Sequence, residues 1–378
     1  MTENITRIDM ILRQIAKELD ITDEQYENAV TSYNAVGSYL SNHINEQVNI
    51  FPQGSFRLGT VTKPLSDEDD YDIDLVCRID KHFLYPHELK NAVGNALKSS
   101  DRYSKMLQKE GKRCWTLNYA DAAQYHMDIL PSIKDISYSK DKKLKITNKD
   151  ENSGIYTFIT TNPEAYFEWF NERQHEEKRR LKEIFAVQNN KNIEDIPEYK
   201  IKTTLQVALQ ILKRYRDKKF ENNIDNKPIS IILTTIMSQI YAGESSVFEL
   251  IEKFSNNSYK YIKIKNGIEW VENPVNSEEN FADKWLLYPE RKKAFQFFVS
   301  ELRKDIVNNT FIISGNLIEE SKSYKELFGV NVVEKAYTNI GKKAKMLREN
   351  GNMYINKDAT INFNQHGTNV KEHKFFGQ

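Results

Sequence analysis

Gln53-Gly-Ser-Phe-Arg-Leu-Gly-Thr-Val-Thr-Lys-Pro64, an acidic stretch Asp67-Glu-Asp-Asp70, and then Tyr71-Asp-Ile-Asp-Leu-Val-Cys-Arg-Ile79 form the block on which the reading of this chain turns. Its last segment alternates like a β-strand, and strand residues two apart share a face. Asp72 and Asp74 therefore stand together on one face, with Tyr71, Ile73 and Leu75 on the other. Cys77 follows the apolar alternation and reads as a buried, inert thiol. Two carboxylates held this close are costly without a cation, and hard oxygen donors suit Mg²⁺ or Mn²⁺.

Working outward, a third carboxylate is needed if two metal ions are to activate a hydroxyl and stabilise a leaving phosphate. Asp128, in the strand-like His126-Met-Asp-Ile-Leu-Pro-Ser132, supplies it and is placed to accept the proton. His126 shares its face and reads as a structural or solvent-facing group. Upstream, Gly54-Ser55 offers backbone that allows close approach and a hydroxyl at a helix entry, both suited to a triphosphate. Arg57 and Lys63 flank that turn, as phosphate-neutralising groups or plain surface charge. The run Asp67 to Asp70 reads as a solvated acidic loop.

Composition bounds the rest. The 378 residues include 54 Lys+Arg and 54 Asp+Glu, so no global basic field exists to hold bulk nucleic acid, and phosphate binding must be local. A hydrophobic fraction of 39% supports a real core. Two cysteines, Cys77 and Cys114, give neither a disulfide framework nor a Cys-based zinc site. The opening residues carry no export signal and no run is long enough for a membrane span, so a cytoplasmic protein without membrane partners is expected.

Elements follow from periodicity. Ile5, Ile8, Ile11, Leu12, Ile15 and Leu19 make the stripe of an amphipathic helix, and Thr22-Asp-Glu-Gln25 is a capping box opening a second helix to about His43. Strands are expected at Val48 to Phe51 and Tyr71 to Ile79, then a helix over 85–100. Cys114 to Tyr119 and Tyr125 to Leu130 read as a hairpin joined by 120–124. Beyond about residue 150 the pattern is mostly helical, with helices at about 202–219 and 229–242 and a polar-faced strand at Tyr259 to Lys265. The charged stretch Glu176 to Lys182 reads as a solvated helix face.

The ordered set Gly54-Ser55, Asp72-x-Asp74 and Asp128 resembles the signature of the DNA polymerase β-like nucleotidyltransferase superfamily. Gln53 to Thr60 followed by Tyr71 to Val76 is similar to one branch, the bacterial CD-NTases that make cyclic oligonucleotide signals in anti-phage defence (CBASS). Leu205 to Asp217 with Lys227 to Ile232 resembles the family's helical-lobe segment, and Glu272 to Trp285 a later block, so the resemblance spans roughly 45–290.

The resemblance implies an α+β fold, with a nucleotidyltransferase lobe on a small mixed sheet over 1–155, N-terminal bracing helices included. A mainly helical lobe over 156–378 packs against it, a range from which some elements of the nucleotidyltransferase lobe can also return. It implies Asp72, Asp74 and Asp128 as catalytic residues holding two Mg²⁺, replaceable by Mn²⁺. Gln53, Gly54, Ser55, Lys213 and Ser230 are implied as nucleotide-binding residues, with Arg214 and Arg216 as competing candidates for the helical-lobe cation and a helix N-cap as a compatible role for Ser230. NTPs, at least one of them a purine (ATP or GTP), are the expected substrates, the product a cyclic di- or trinucleotide released with pyrophosphate. A CBASS accessory protein acting on the C-terminus, which ends Lys374-Phe-Phe-Gly-Gln378, is a further implied partner. The rival readings are a linear oligonucleotide synthetase, an RNA- or small-molecule nucleotidyltransferase, and an inactive nucleotide-binding module.

Overall fold

The computed structural model describes residues 2–378 apart from 67–69, 82, 84, 120–124, 137–142, 190–191, 310–311, 313–315, 356–360, 363–366 and 371–378. The acidic loop around Asp67, the hairpin connection at 120–124 and the tail at Lys374 to Gln378 thus lie outside the described residues. No helix among the described residues is long and apolar enough to cross a membrane.

Two helices lead, α1 (Thr2–Leu19) and α2 (Asp23–His43). The capping box between them is present, with the Thr22 side chain accepting from the Gln25 backbone and the Gln25 side chain accepting from the Thr22 N–H. A six-stranded mixed sheet follows: β1 (Val48–Gln53), β2 (Tyr71–Ile79), β3 (Trp115–Asn118), β4 (Tyr125–Lys134), β5 (Leu144–Lys149) and β6 (Tyr156–Thr161). Strands run in the order β1-β2-β4-β5-β6, and β3 pairs with β4. Three helices interrupt this series, α3 (Gly54–Leu58), α4 (Pro86–Lys98) and α5 (Tyr103–Met106). β2 and β4 are parallel neighbours, because α4, α5 and β3 carry the chain across between them.

The chain beyond about 150 is mostly helical, as expected, but β5 and β6 are strands that the periodicity did not announce. Their polar composition, with Lys145, Thr147, Asn148 and Thr157, hides the alternation that marks a half-buried strand. The strand expected over Tyr259 to Lys265 is also shorter: Ser258–Tyr261 is a 3₁₀ turn, and only β7 (Lys263–Lys265) extends, pairing with β8 (Ile268–Trp270). β9 (Glu272–Asn273) and β10 (Asn276–Asn280) form another small ribbon.

The remaining helices are α6 (Pro163–Asn189), α7 (Thr204–Lys219), α8 (Ser230–Ile240), α9 (Val247–Asn257), α10 (Pro289–Leu302), α11 (Leu317–Phe328) and α12 (Val330–Glu349). Lys178 and Lys182 of α6 pair with Glu198, and Arg179 with Glu176 and Glu183, as a solvated charged face would.

Two large hydrophobic cores organise the chain. One lies between the sheet and α2 with α4, through Val36, Leu40, Ile73, Leu75, Leu89, Val93 and Met127. The other gathers α7 to α12 around Leu209, Leu212, Ile236, Phe254, Phe298 and Phe328. The stripe of α1 belongs to this second core, with Ile8, Ile11, Leu12, Ile15 and Leu19 fully buried in it. Burial of each such side chain is worth roughly 1.5–3 kcal/mol, ample to fix α1 against the late helices. α3 straddles the two cores: Phe56 enters the sheet core and Leu58 the helical one.

Candidate active site

Strand register assembles the sheet side of the site. Gln53 of β1 is opposite Asp74 of β2, Asp74 is opposite Asp128 of β4, and Asp128 is opposite Thr116 of β3. Laterally paired residues share a sheet face, so Gln53, Asp74, Asp128 and Thr116 form one row, with strands about 4.8 Å apart. The next row on that face holds Asp72, His126 and Asn118. Thr116, absent from the sequence reading, donates its hydroxyl to Asp128 Oδ1 at 2.5 Å. His126 Nε2 lies 3.0 Å from Asp70 Oδ2, a supporting position beside Asp72.

Gly54 explains why the row begins with Gln53-Gly. Its φ is +61°, and a Cβ there would fall 2.1 Å from Asp74 Oδ2, so no other residue lets α3 start against this carboxylate. Ser55 follows in the first turn of α3, on the wall of a cavity of about 760 Å³. Asp72, Asp74, Lys213, Arg216, Lys227 and Ser230 line the same cavity. Gln53, Gly54, Asp74 and Asp128 line an adjoining cavity of about 1080 Å³, whose far wall comes from β6, β8 to β10 and α10. The acid row thus stands at the boundary of a polar cavity and a larger, more aromatic one.

Electrostatics mark the row as incomplete. Burial first, then Asp128 and Asp72, push the Asp74 carboxyl up to about 7. Asp72 is raised by the same causes, burial ahead of Asp128. A hard cation relieves such crowding, and three carboxylate donors fit one. Among the described residues no three acidic, His or Cys side chains converge closely enough to form a metal site on their own. Cys77 is fully buried with its thiol pushed up to about 12, the inert role expected of it.

Across the cleft, Lys213 is buried rather than solvated, because α7 is enclosed on nearly all sides from Thr204 to Arg216. Its ammonium donates to the Thr60 carbonyl at 2.9 Å and to the Thr60 hydroxyl at 3.0 Å. Burial, then the Arg216 charge, lower its pKa to about 7, while Asp217 and Asp74 act in the other direction. Ser230 is the first residue of α8 with Ile229 as the cap, so it is not the N-cap. Its Oγ instead accepts from Arg216 Nη1 at 2.7 Å. Arg216 is itself held by Asp217 and the Pro228 carbonyl, and Lys227 pairs with Asp217 at 3.0 Å.

Arg214 points away, donating to the Phe328 and Pro64 carbonyls. Arg57 stacks over Phe51 and Phe167 and lines the larger cavity but not the smaller one, and Lys63, which reaches the Glu18 carbonyl, lines neither. Arg216 was a competing candidate for the helical-lobe cation, whereas Lys227 was legible only as a charge near the Ser230 motif. Their contacts depend on two helices packing together.

Known proteins bear on this geometry. Residues 6–174 match the family model of the Second Messenger Oligonucleotide or Dinucleotide Synthetase domain. Over 314 residues the chain is 31% identical to a c-di-GMP synthase of Roseivirga ehrenbergii, covering 79% of each. The chain belongs to the bacterial CD-NTase family. As a CD-NTase it is a nucleotidyltransferase. A second relative, the cyclic dinucleotide synthase CdnG of Bradyrhizobium diazoefficiens, is 27% identical over 301 residues, covering 74% of this CD-NTase and 70% of the relative. The structure of that CdnG in complex with GTP matches the fold with a TM-score of 0.69 at 21% identity, over 89% of this CD-NTase and 99% of that chain. Vibrio cholerae DncV in its 3'-deoxy GTP bound form matches at a TM-score of 0.61 and 14% identity, over 86% and 97%. The expected fold class, a polymerase β-like lobe packed on a mainly helical one, therefore stands.

Proposed function

We propose that this CD-NTase joins nucleoside triphosphates into a cyclic di- or trinucleotide signal in anti-phage defence, using Asp72, Asp74 and Asp128 as its catalytic carboxylates. The observation that carries this reading is the row Gln53, Asp74, Asp128 and Thr116, set by strand register and facing Lys213 and Ser230 across one cavity system.

Gly54 and Ser55 hold the donor's phosphates, close to Asp74 because Gly54 has no side chain. Lys213 and Ser230 meet the triphosphate from the helical side, and its negative charge favours the charged form of Lys213. Asp72, Asp74 and Asp128 would hold Mg²⁺, or Mn²⁺ in its place, which when bound would neutralise charge at the phosphates and lower the pKa of the attacking hydroxyl. Asp128, steadied by Thr116, takes the proton of the acceptor's ribose hydroxyl. That oxygen attacks the α-phosphorus of the donor, and pyrophosphate leaves. A second round within the linear product closes the ring. With GTP or ATP as donor, the aromatic cavity beside Asp128 receives a base.

The test is incubation of purified protein with all four NTPs and Mg²⁺, phosphatase treatment, and mass spectrometry. A phosphatase-resistant product without free ends is expected. Linear chains alone would overturn ring closure, and no product under any NTP combination would favour a nucleotide-binding module. In cells, phage protection is expected to disappear with Asp74→Asn.

A further inference from the structure

The block Glu272 to Trp285 has so far had no role. It folds as β9, β10 and a 3₁₀ turn at Asp283–Trp285, and forms a wall of the larger cavity opposite Asp128. Its asparagines make it rigid. Asn280 Oδ1 accepts from the Val271 and Ala282 backbone N–H groups, and its Nδ2 donates to the Glu269 carbonyl. Asn273 is buried, accepts from the Val275 N–H, and donates to Glu279 Oε2 at 2.8 Å.

Glu279 is thus a half-buried carboxylate fixed from behind on a cavity wall. The other acids of this wall differ: Glu278 is exposed and pairs with Lys143, and Asp283 is exposed. Phe158, Trp270 and Phe281 line the same cavity and offer faces for a base. Burial raises the Glu279 carboxyl above the usual range, and the hydrogen bond from Asn273 and then the charge of Arg113, which lines the same cavity, act against that rise.

Guanine presents two adjacent donors, N1–H and N2–H₂, beside the acceptors O6 and N7. A carboxylate accepts from the donors, and a guanidinium donates to the acceptors. Adenine reverses the pattern at both positions, with a donor at N6 and an acceptor at N1. We propose that Glu279, backed by Asn273 and faced by Arg113, selects guanine for the nucleoside on the Asp128 side of the cleft. The inference rests on the nucleotidyltransferase reading of this cavity and adds a substrate class to it. A glutamine at 279 keeps an acceptor for Asn273 and turns an N–H₂ toward the base, which suits adenine N1.

The experiment compares wild type with Glu279→Gln in two readouts. The first is calorimetric binding of GTP, ATP and ITP, the last lacking the N2 amine. The second is the base composition of phosphatase-resistant product from equimolar ATP and GTP. Wild type is expected to bind GTP about 10-fold or more tighter than ITP, and Glu279→Gln to shift the GTP-to-ATP preference by about 10- to 100-fold toward ATP. Equal GTP and ITP binding by wild type overturns the proposal without reference to the variant. So does an unchanged base preference in folded Glu279→Gln. If wild type makes no product yet discriminates GTP from ITP through Glu279, base selection stands and the synthase reading fails. Product with unaltered bases gives the opposite division.

Discussion

On the sheet wall, Asp74 and Asp128 stand together because strand alternation and register put them there. On the helical wall, Lys213 and Ser230 come from two helices and are ordered by Thr60 and Arg216. The sheet wall gathers negative charge that backbone geometry cannot relax. The helical wall buries a cation and restrains it with neutral partners. Burial raises Asp74 and lowers Lys213, each to about 7, so each wall resists its own charge until something of opposite sign arrives.

The sharpest break of this comparison is at the acid row. Asp74→Asn is expected to lower product formation by at least about 10³-fold, since the metal and hydroxyl chemistry depends on it; substantial turnover would sink the assignment. Lys213→Met, which keeps the stem, is expected to lower kcat/KM by about 10- to 100-fold, since one charge-assisted hydrogen bond goes while the acid row stays. Ser230→Ala is smaller, about 3- to 10-fold, expressed mainly in KM for the donor. If Lys213→Met matched Asp74→Asn in effect, the two walls would not differ in the way argued.

Stability separates them with the smallest effect. Asp74 has a folded pKa above its ordinary 3.8, so its ionised form costs stability above pH 7, and the cost fades as pH falls from 7 toward 3.8. Without metal, Asp74→Asn is expected to raise Tm by a few degrees at pH 8, where about 1 kcal/mol corresponds to roughly 2–4 °C, and the gain is expected to shrink by pH 5. Lys213 has a folded pKa below its ordinary 10.5, so its cost is full below pH 7 and fades as pH rises toward 10.5. The Tm difference between Lys213→Met and wild type is expected to become less favourable between pH 7 and 9.5. Thermal scans of the two variants thus predict slopes of opposite sign, and parallel slopes would refute the pairing.

The same contrast explains what the sequence could reveal. Asp72-x-Asp74 was legible because a period of two fixes side-chain direction, and the capping box at Thr22 because it is local. The family resemblance supplied Lys213 and Ser230, but not their surroundings. Thirteen successive buried residues in α7, Thr204 to Arg216, erase the periodicity that would separate a solvated lysine from a buried one. Thr116 needed the register of β3 on β4, and β5 with β6 were too polar to announce a strand. The stripe of α1 was evident, whereas its partners lie in α7, α9 and α12, some two to three hundred residues later.

That last separation governs how the enzyme is made. The sheet core draws its buried residues from Ala29 to Ile133, a span that can fold as soon as it leaves the ribosome. α1 emerges earlier still, but α7 and α9, which cover part of it, follow some two hundred residues later and α12 some three hundred; at about 5–20 residues per second its apolar face is not fully covered for roughly 15–60 s. During that interval the nascent chain carries an exposed apolar helix face of the kind that is prone to aggregation until the last helices close over it.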